Sequence, residues 1–278
     1  TETIISKNMS NIHNEYLMES GDKKYKSKDY KGAITDYSQI LIDNPNDLNA
    51  LFQRALAKSY LDDHEGAIKD YTRVIEINPE YASAFYNRGL SKDEMEDSYG
   101  AISDYSKAIA INGKHKNAFI YRGYAKSDIG DHEGAIKDLT SAIEIDPEDP
   151  FGYNGRGYVK EKAGDYYAAI SDYSKAIKID PENDYSYSGR AYAKWMIGDK
   201  NGATNDFTKA IQLNPDEAYA FFGRGVIHKS EGNFKQACED WIIASDMGYE
   251  IAKTRADECK NTDVVKESIL NLLSTQNY

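Results

Sequence analysis

Cysteine is nearly absent from this sequence. The 278 residues contain two, Cys238 and Cys259, both near the C-terminal end, so a disulfide framework cannot organise the fold. We expect Cys238 to be a small core residue. So few cysteines favour a cytoplasmic location, but an exported or periplasmic one stays open, because a removed signal peptide would leave no trace.

Long apolar runs and basic clusters are also missing. No stretch approaches the roughly 18 consecutive apolar residues of a membrane span. The formal net charge is −12, from 46 acidic residues against 34 Lys and Arg. A chain with this excess of negative charge and no run of Lys or Arg should repel nucleic acid and anionic lipid. We therefore expect neither nucleic acid nor a membrane as a partner.

Motifs for catalysis or metal binding are lacking as well. His64 and His132 each precede Glu-Gly-Ala, not a second histidine at the spacing of a zinc-binding helix. Gly155-Arg156-Gly157 lacks the third glycine of a phosphate-binding loop and falls inside a predicted helix. No pair of acidic residues is marked out as catalytic. We predict that the protein is not an enzyme and that it uses no cofactor and no metal.

What the sequence does have is a period of 34 residues. Five of the six prolines fall on this grid, namely Pro45, Pro79, Pro147, Pro181 and Pro215. The empty slot holds Gly113, another residue that ends helices. With the proline at position 32, seven repeats begin at Asn14, Leu48, Ala82, Lys116, Pro150, Asp184 and Ala218.

Each repeat is predicted to form two antiparallel helices, A and B. Position 20 is alanine in every repeat, from Ala33 to Ala237, position 8 is Gly or Ala, and position 24 is Leu or an aromatic residue. Small residues let two helices cross closely, and the large one fills the space beside them. Gly-Asp pairs such as Gly130-Asp131 end helix A, because glycine adopts the left-handed conformation at little cost. The proline ends helix B.

These columns resemble the tetratricopeptide repeat (TPR) family, which has an aromatic residue at 4, Gly or Ala at 8, Ala at 20, an aromatic residue at 24, Ala at 27 and Pro at 32. The resemblance covers residues 14–251 and is strongest to bacterial members, as in the phrase at 119–126. It implies an all-α fold, a right-handed superhelical solenoid of seven antiparallel helix pairs. An N-terminal extension over 1–13 and C-terminal capping helices over 252–278 complete the predicted organisation.

The C-terminal segment departs from the repeat pattern. We predict a helix from Ile251 to Lys260 and a last helix capped by Thr262-Asp263, with an apolar stripe. Such helices cover the stacking face of the final repeat. The alternative is that the last helix docks into the groove of another copy, which gives a homo-oligomer.

Two charged columns differ from the family. Position 7 is Arg in six repeats and Ser20 in the first, and position 23 is always Asp. We interpret them as structural ion pairs between consecutive repeats, for instance Asp104 with Arg122 and Asp138 with Arg156, whose forked geometry fixes the stacking. The alternative is a basic track for a ligand.

A partner is expected in the concave groove, which the resemblance lines with positions 2, 5, 9, 12 and 13 of the A helices. These positions are acidic or polar in the middle of the chain and aromatic later. The predicted groove residues are Tyr86, Asp93, Glu94, Tyr124, Asp128, Asn154, Tyr158, Glu161, Tyr185, Tyr192, Trp195, Tyr219 and Phe222. Aromatic side chains offer large contact area with little rotamer entropy to lose. The tyrosines of position 9 have the alternative of packing between neighbouring helices.

The sequence therefore predicts a non-catalytic scaffold that binds a protein or peptide. A segment with Lys or Arg beside apolar anchors would suit a groove that is both acidic and aromatic. The alternative is a self-associating structural protein whose arrays stack through their ends.

Overall fold

The computed structural model describes residues 2–260, with side chains described from residue 11 onward. Within that range the chain forms fifteen helices and no strand. The helices are α1 Glu2–Lys26, α2 Tyr30–Asp43, α3 Leu48–Ser59, α4 His64–Ile77, α5 Ala82–Asp93, α6 Ser98–Ile111, α7 Lys116–Asp128, α8 His132–Ile145, α9 Pro150–Lys162, α10 Tyr166–Ile179, α11 Asp184–Met196, α12 Lys200–Leu213, α13 Ala218–Ser230, α14 Phe234–Asp246 and α15 Glu250–Lys260. None of the described helices has the length and apolar character needed to cross a bilayer.

The chain divides into two compact units, Thr1–Ile145 and Asp146–Tyr278. The first contains α1 to α8 and the second α9 to α15. In each unit, every odd-numbered helix up to α13 is a helix A that packs against the helix B after it, and that helix B packs against the next helix A. The predicted all-α fold of repeated helix pairs is confirmed. Helix α1 runs unbroken through the predicted N-terminal extension into the first helix A.

An aspartate begins almost every helix B. The Asp63 carboxylate accepts a hydrogen bond from the Gly66 backbone N–H at 3.0 Å, which satisfies one of the donors left open at a helix start. The same cap is formed by Asp29, Asp97, Asp131, Asp165 and Asp199. These caps fix where each hairpin turns.

The residue that ends helix A has a left-handed backbone conformation. In the later repeats it is glycine, as predicted, with φ between 81° and 86° at Gly130, Gly164, Gly198 and Gly232. In the first three repeats it is a residue with a side chain, with φ of 64° at Lys28, 60° at Asp62 and 61° at Glu96. Side chains are disfavoured in this conformation, so the first three turns are strained where the later ones are not.

The small and large columns pack as predicted. Tyr105 is fully buried, and a Cβ placed on Gly89 would lie 2.6 Å from its ring. The same close approach joins Gly21 to Tyr37. A side chain at position 8 would therefore push the two helices of the hairpin apart.

Each Asp–Arg ion pair forms inside a single repeat, from the second repeat to the seventh. Arg88 donates from Nε and Nη2 to the two carboxylate oxygens of Asp104, at 2.8 and 2.7 Å. Lys92 Nζ lies 2.8 Å from the same carboxylate, whose side chain is 4% exposed. The forked pair recurs as Arg54–Asp70, Arg122–Asp138, Arg156–Asp172, Arg190–Asp206 and Arg224–Asp240.

The predicted pairing of Asp104 with Arg122 and of Asp138 with Arg156 is therefore wrong. Position 7 of helix A and position 23 of helix B face each other inside one hairpin. Each arginine therefore pairs with the aspartate of its own repeat and not with that of the preceding repeat. The interpretation of the two columns as structural ion pairs, not as a ligand track, agrees with their burial.

The arginine reaches the preceding repeat through a hydroxyl. Nη1 of Arg122 donates to Ser106 Oγ at 3.0 Å, and other repeats use Ser or Thr in the same way. The first repeat carries Ser20 in place of the arginine, and its hydroxyl donates to Asp36 at 2.7 Å. Position 25 of the seventh repeat, the counterpart of Ser106, is Ile242, and position 7 of the helix that follows is Glu258.

The two cysteines are joined. Cys238 on α14 and Cys259 on α15 form a disulfide, with Cα atoms 5.5 Å apart. This corrects the expectation that Cys238 is only a small core residue. The two residues meet because α15 packs against α14 as a further helix A would. Helix α15 lies where a helix from Ile251 was predicted, whereas the predicted last helix after Thr262 lies outside the described residues.

Candidate functional site

The second unit contains a cavity of about 360 Å³ among helices α9, α10, α11 and α13. Its walls are mainly aromatic, with two carboxyl groups. It is lined by Tyr158, Glu161, Tyr173, Tyr185, Ser188, Gly189, Glu217 and Tyr219. The structure therefore brings together four predicted groove residues, Tyr158, Glu161, Tyr185 and Tyr219, and adds four that the sequence reasoning missed.

Tyr173 reaches the cavity through a gap that a glycine leaves. A Cβ placed on Gly189 would lie 2.4 Å from the Cζ atom of Tyr173, so any side chain on α11 here would collide with the ring. The ring is buried in the repeat, and its hydroxyl donates to Glu161 Oε2 at 3.1 Å. Because Gly189 has no side chain, Tyr173 of α10 can pack in the core and also line the cavity.

Glu161 is held in an apolar setting. Burial raises the pKa of its carboxyl to about 7, although the Tyr173 hydrogen bond and the charge of Lys162 act in the opposite direction. The pKa values of Tyr192 and Tyr219 are raised by burial first and by Glu161 among other neighbours. Near neutral pH the Glu161 carboxyl is therefore partly protonated.

Glu217 is the second carboxyl of the cavity. It accepts a hydrogen bond from Ser188 Oγ at 2.8 Å. Burial raises its pKa to about 7, the Ser188 bond lowers it, and the charge of Asp184 raises it. Glu217 stands at position 34, where side chains in other repeats cap helix A, but it makes no such cap on α13.

Several predicted groove residues of the second unit do not line this cavity. Asn154 is 4% exposed and accepts from Ser186 Oγ at 2.7 Å, so its amide is engaged between α9 and α11. Trp195 packs against the core around Phe207, with Lys200 Nζ 5.7 Å from its ring.

The remaining two predicted groove residues of the second unit, Tyr192 and Phe222, contact rings outside the cavity. The rings of Tyr192 and Tyr166 are 6.5 Å apart, edge to face. Phe222 lies 5.3 Å from Tyr249 and 5.1 Å from the guanidinium of Arg255, near the end of the last repeat.

The predicted acidic residues belong to the first unit. Asp93 accepts a hydrogen bond from the Tyr105 hydroxyl at 2.6 Å. Burial raises its pKa to about 6, with further increases from the charges of Asp128 and Glu94. Both neighbours are exposed at helix ends. Glu94 also lines a cavity of about 370 Å³ with less aromatic wall.

Tyr86 and Tyr124 belong to an aromatic cluster of the first unit. The Tyr86 ring lies 4.9 Å from His115 and 5.9 Å from Tyr121. Tyr121 in turn lies 6.2 Å from Tyr124. In this cluster the rings of α5 and α7 pack on one another, and Tyr124, the member at position 9, contacts a ring of its own helix.

Two signals in the sequence could have found the missed residues. Gly189 is a glycine inside helix A at position 6, where the first four repeats have Glu, Gln, Asn and Tyr. Glu217 stands in a column where Asp47, Asp149 and Asn183 form caps. A residue that departs from a structural column invites a functional reading.

The chemistry of the site is that of binding. Tyrosine rings and carboxyls offer apolar surface, hydrogen bonding and negative charge. In the part of the chain that the structure describes, no three His, Cys, Asp or Glu side chains are grouped so as to hold a metal ion.

Family models match three parts of the chain. Models described as tetratricopeptide repeat match residues 120–149 and 150–183, and one described as TPR repeat matches 60–92. A search of the curated proteins found no match to this sequence.

Solved structures extend the likeness. A tetratricopeptide repeat protein from Parabacteroides merdae is 21% identical with a TM-score of 0.74, over 90% of this chain and 99% of that one. MamA protein is 25% identical with a TM-score of 0.57, over 61% and 93%. YrrB, described as a TPR protein with an unusual peptide-binding site, is 20% identical with a TM-score of 0.54, over 66% and 95%.

A role as a scaffold for protein–protein interaction is typical of this repeat, and its members typically have no catalytic activity. The three model matches, the helix pairs and the similar structures identify the chain as an array of tetratricopeptide repeats.

Proposed function

We propose that this protein is a non-catalytic scaffold that binds a peptide segment of another protein on the A helices of its second unit. The observation that carries the proposal is the tyrosine-walled cavity among α9, α10, α11 and α13. Concave, mostly apolar sites with a few convergent polar groups are where proteins bind ligands.

The chemistry of the walls supports a peptide as the ligand. Tyr185 is 46% exposed at the first turn of α11, so a bound chain can cover it. Tyrosine is enriched among the residues that dominate binding energies, because its ring is large and rigid and its hydroxyl can hydrogen-bond. Peptide binding is also what the description of YrrB states for that protein.

The test is selection of random 12-residue peptides, displayed on phage, against the immobilised full chain. The tightest peptides are then synthesised, and their affinity is measured by calorimetry. The double variant Tyr158→Ala/Tyr185→Ala removes two rings of the cavity and should weaken binding at least tenfold, since loss of a central aromatic contact costs about 2 kcal/mol.

The matched control is Tyr167→Ala. Tyr167 is 74% exposed on α10 and does not line the cavity, so binding should be unchanged. The proposal fails if no peptide is selected, or if the double variant binds as well as the control. A molecular mass that grows with concentration in light scattering, together with that failure, would favour the self-associating alternative.

A further inference from the structure

The cavity of the second unit has carboxyl groups but no basic group among its lining residues. Tyr158, Tyr173, Tyr185 and Tyr219 form the rings, and Glu161 and Glu217 supply the acids. The surface therefore combines negative charge with the negative faces of aromatic rings, and both attract a cation.

The hydrogen bonds leave both carboxyls with capacity to spare. Each accepts one bond from a hydroxyl of the wall, Glu161 from Tyr173 and Glu217 from Ser188. An ionised carboxylate can accept about four. A charged donor entering the cavity would thus find acceptors on α9 and at the start of α13.

One ring of the cavity already binds a cation from the chain itself. The Nζ atom of Lys162 lies 4.8 Å from the centre of the Tyr158 ring, within the roughly 6 Å at which ammonium and ring attract each other. Lys162 is exposed and is not among the lining residues, so the interior of the cavity is left to another cation.

We infer that the cavity receives a lysine or arginine side chain of the bound peptide, with its cation between Glu161, Glu217 and the tyrosine rings. This inference rests on the proposed peptide-binding function and names the side chain that the site selects. Neutral and acidic side chains lack the charge that would offset removing these carboxylates from water.

The charge of the two carboxyls should also make the affinity for the peptide depend on pH. Both titrate near pH 7, with Lys162 and Asp184 as their charged neighbours. A bound cation favours their ionised form, so binding near neutral pH releases protons. The affinity should rise between about pH 6 and pH 8 and then level off, because a lysine with its usual pKa of about 10.4 stays charged throughout.

The experiment uses the peptides selected from the random 12-residue library on the full chain. Each should contain a Lys or Arg whose replacement by Met lowers affinity roughly tenfold or more. In Glu161→Gln/Glu217→Gln the same replacement should change affinity less than about twofold, and the pH dependence should disappear. Glu182→Gln, an exposed residue of the turn before α11, is the matched control and should behave as the wild type.

The outcomes separate the inference from the function. Peptides that lose affinity in Tyr158→Ala/Tyr185→Ala but tolerate the change to Met, or bind the Gln double variant equally well, would overturn the inference and leave the function standing. Peptides insensitive to the loss of the tyrosines would overturn both. Thermal unfolding of each variant establishes that it is folded before its affinity is compared.

Discussion

The two units build the same hairpin from the same columns but differ at position 6 of helix A. The first unit carries Glu19, Gln53, Asn87 and Tyr121 there, and the second carries Gly155, Gly189 and Gly223. In the second unit, a Cβ on Gly189 or Gly223 would lie 2.4 Å from the ring of Tyr173 or Phe207, respectively. In the first, Tyr121 fills this place and its ring lies 6.3 Å from Tyr105.

The positions that stabilise each hairpin are therefore different from the position that shapes the cavity. The alanines of position 20 and the ion pairs of positions 7 and 23 occur in both units and hold each repeat together. Position 6 is not needed for that purpose, so it can vary. Where it is Gly189, a buried tyrosine reaches the inner side of the unit and a cavity opens beside it.

Breaking one of the shared Asp–Arg ion pairs should destabilise either unit strongly and to an equal extent. Asp104→Ala in the first and Asp206→Ala in the second each strand an arginine and a lysine. Loss of one partner of a buried pair costs about 3 kcal/mol of unfolding free energy, measured by urea denaturation.

Asp36→Ala is the matched control for these variants. Asp36 has no arginine partner, and its lysine, Lys24, has a side chain 37% exposed, so the loss should be clearly smaller. An equal loss in all three variants would show that the forked arginine adds nothing to stability.

The second prediction addresses position 6 directly. Gly189→Ala should destabilise the second unit by roughly 1 to 2 kcal/mol, because the strain of overpacking against Tyr173 exceeds the gain in helix propensity. Asn87→Ala, at the same position of the first unit, should change stability by less than about 0.5 kcal/mol. Equal effects of the two substitutions on the thermal midpoint would refute the role assigned to the glycine.

The third prediction is a pH dependence that is stronger in the second unit. The pKa values of Glu161 and Glu217 are raised to about 7 in the folded protein, so the folded state holds their protons more tightly than the unfolded state. Stability should therefore fall as pH rises from about 5 to 7.5. Glu161→Gln/Glu217→Gln should flatten this fall, by on the order of 1 kcal/mol after allowance for solvent screening.

Asp93 is the corresponding group of the first unit. Its pKa is raised to about 6, so its contribution should be lost over a lower window, about pH 4 to 6, and Asp93→Asn should remove it. Hydrogen exchange of α5 and α11, followed across pH, separates the two units. A first unit as sensitive as the second between pH 6 and 7.5 would contradict these assignments.

Substitutions in the turn after helix A should change stability only slightly. Asp62→Gly removes the backbone strain of a non-glycine residue at φ 60°. It should stabilise the first unit by about 0.5 to 1 kcal/mol. Gly164→Ala places a side chain at φ 83° in the second unit and should destabilise it by a similar amount. Opposite shifts in the thermal midpoint are expected, and shifts of the same sign would disprove the assignment.

The repeat columns predicted the fold because each of them has a local cause. The proline grid, the small residues at positions 8 and 20 and the glycine that ends helix A, as at Gly130, set helix ends and crossings within about 34 residues. The partner of each Asp–Arg pair was wrongly predicted, because the count of arginines equally fits a contact with the preceding repeat. The structure shows that this contact exists, but to a hydroxyl such as Ser106.

The site was less predictable, because it depends on where helix faces meet. Tyr158 and Tyr185 were predicted as groove residues, and the structure places them on one cavity. Tyr173 was predicted as core, but its ring also lines the cavity, next to the missing side chain of Gly189. The disulfide was not predicted either, because it also depends on how two helices pack, here α14 and α15. The 34-residue register does put Cys259 at position 8 of an eighth helix A, where helices cross closely.

If the A helices around the tyrosine cavity bind the peptide, their backbone amides should be protected in the complex. Hydrogen exchange of the full chain is measured with and without the tightest selected peptide. We expect slower exchange in α9, α11 and α13 and little change in α3, α5 and α7. Protection confined to the B helices α10, α12 and α14, or to the first unit, would contradict it.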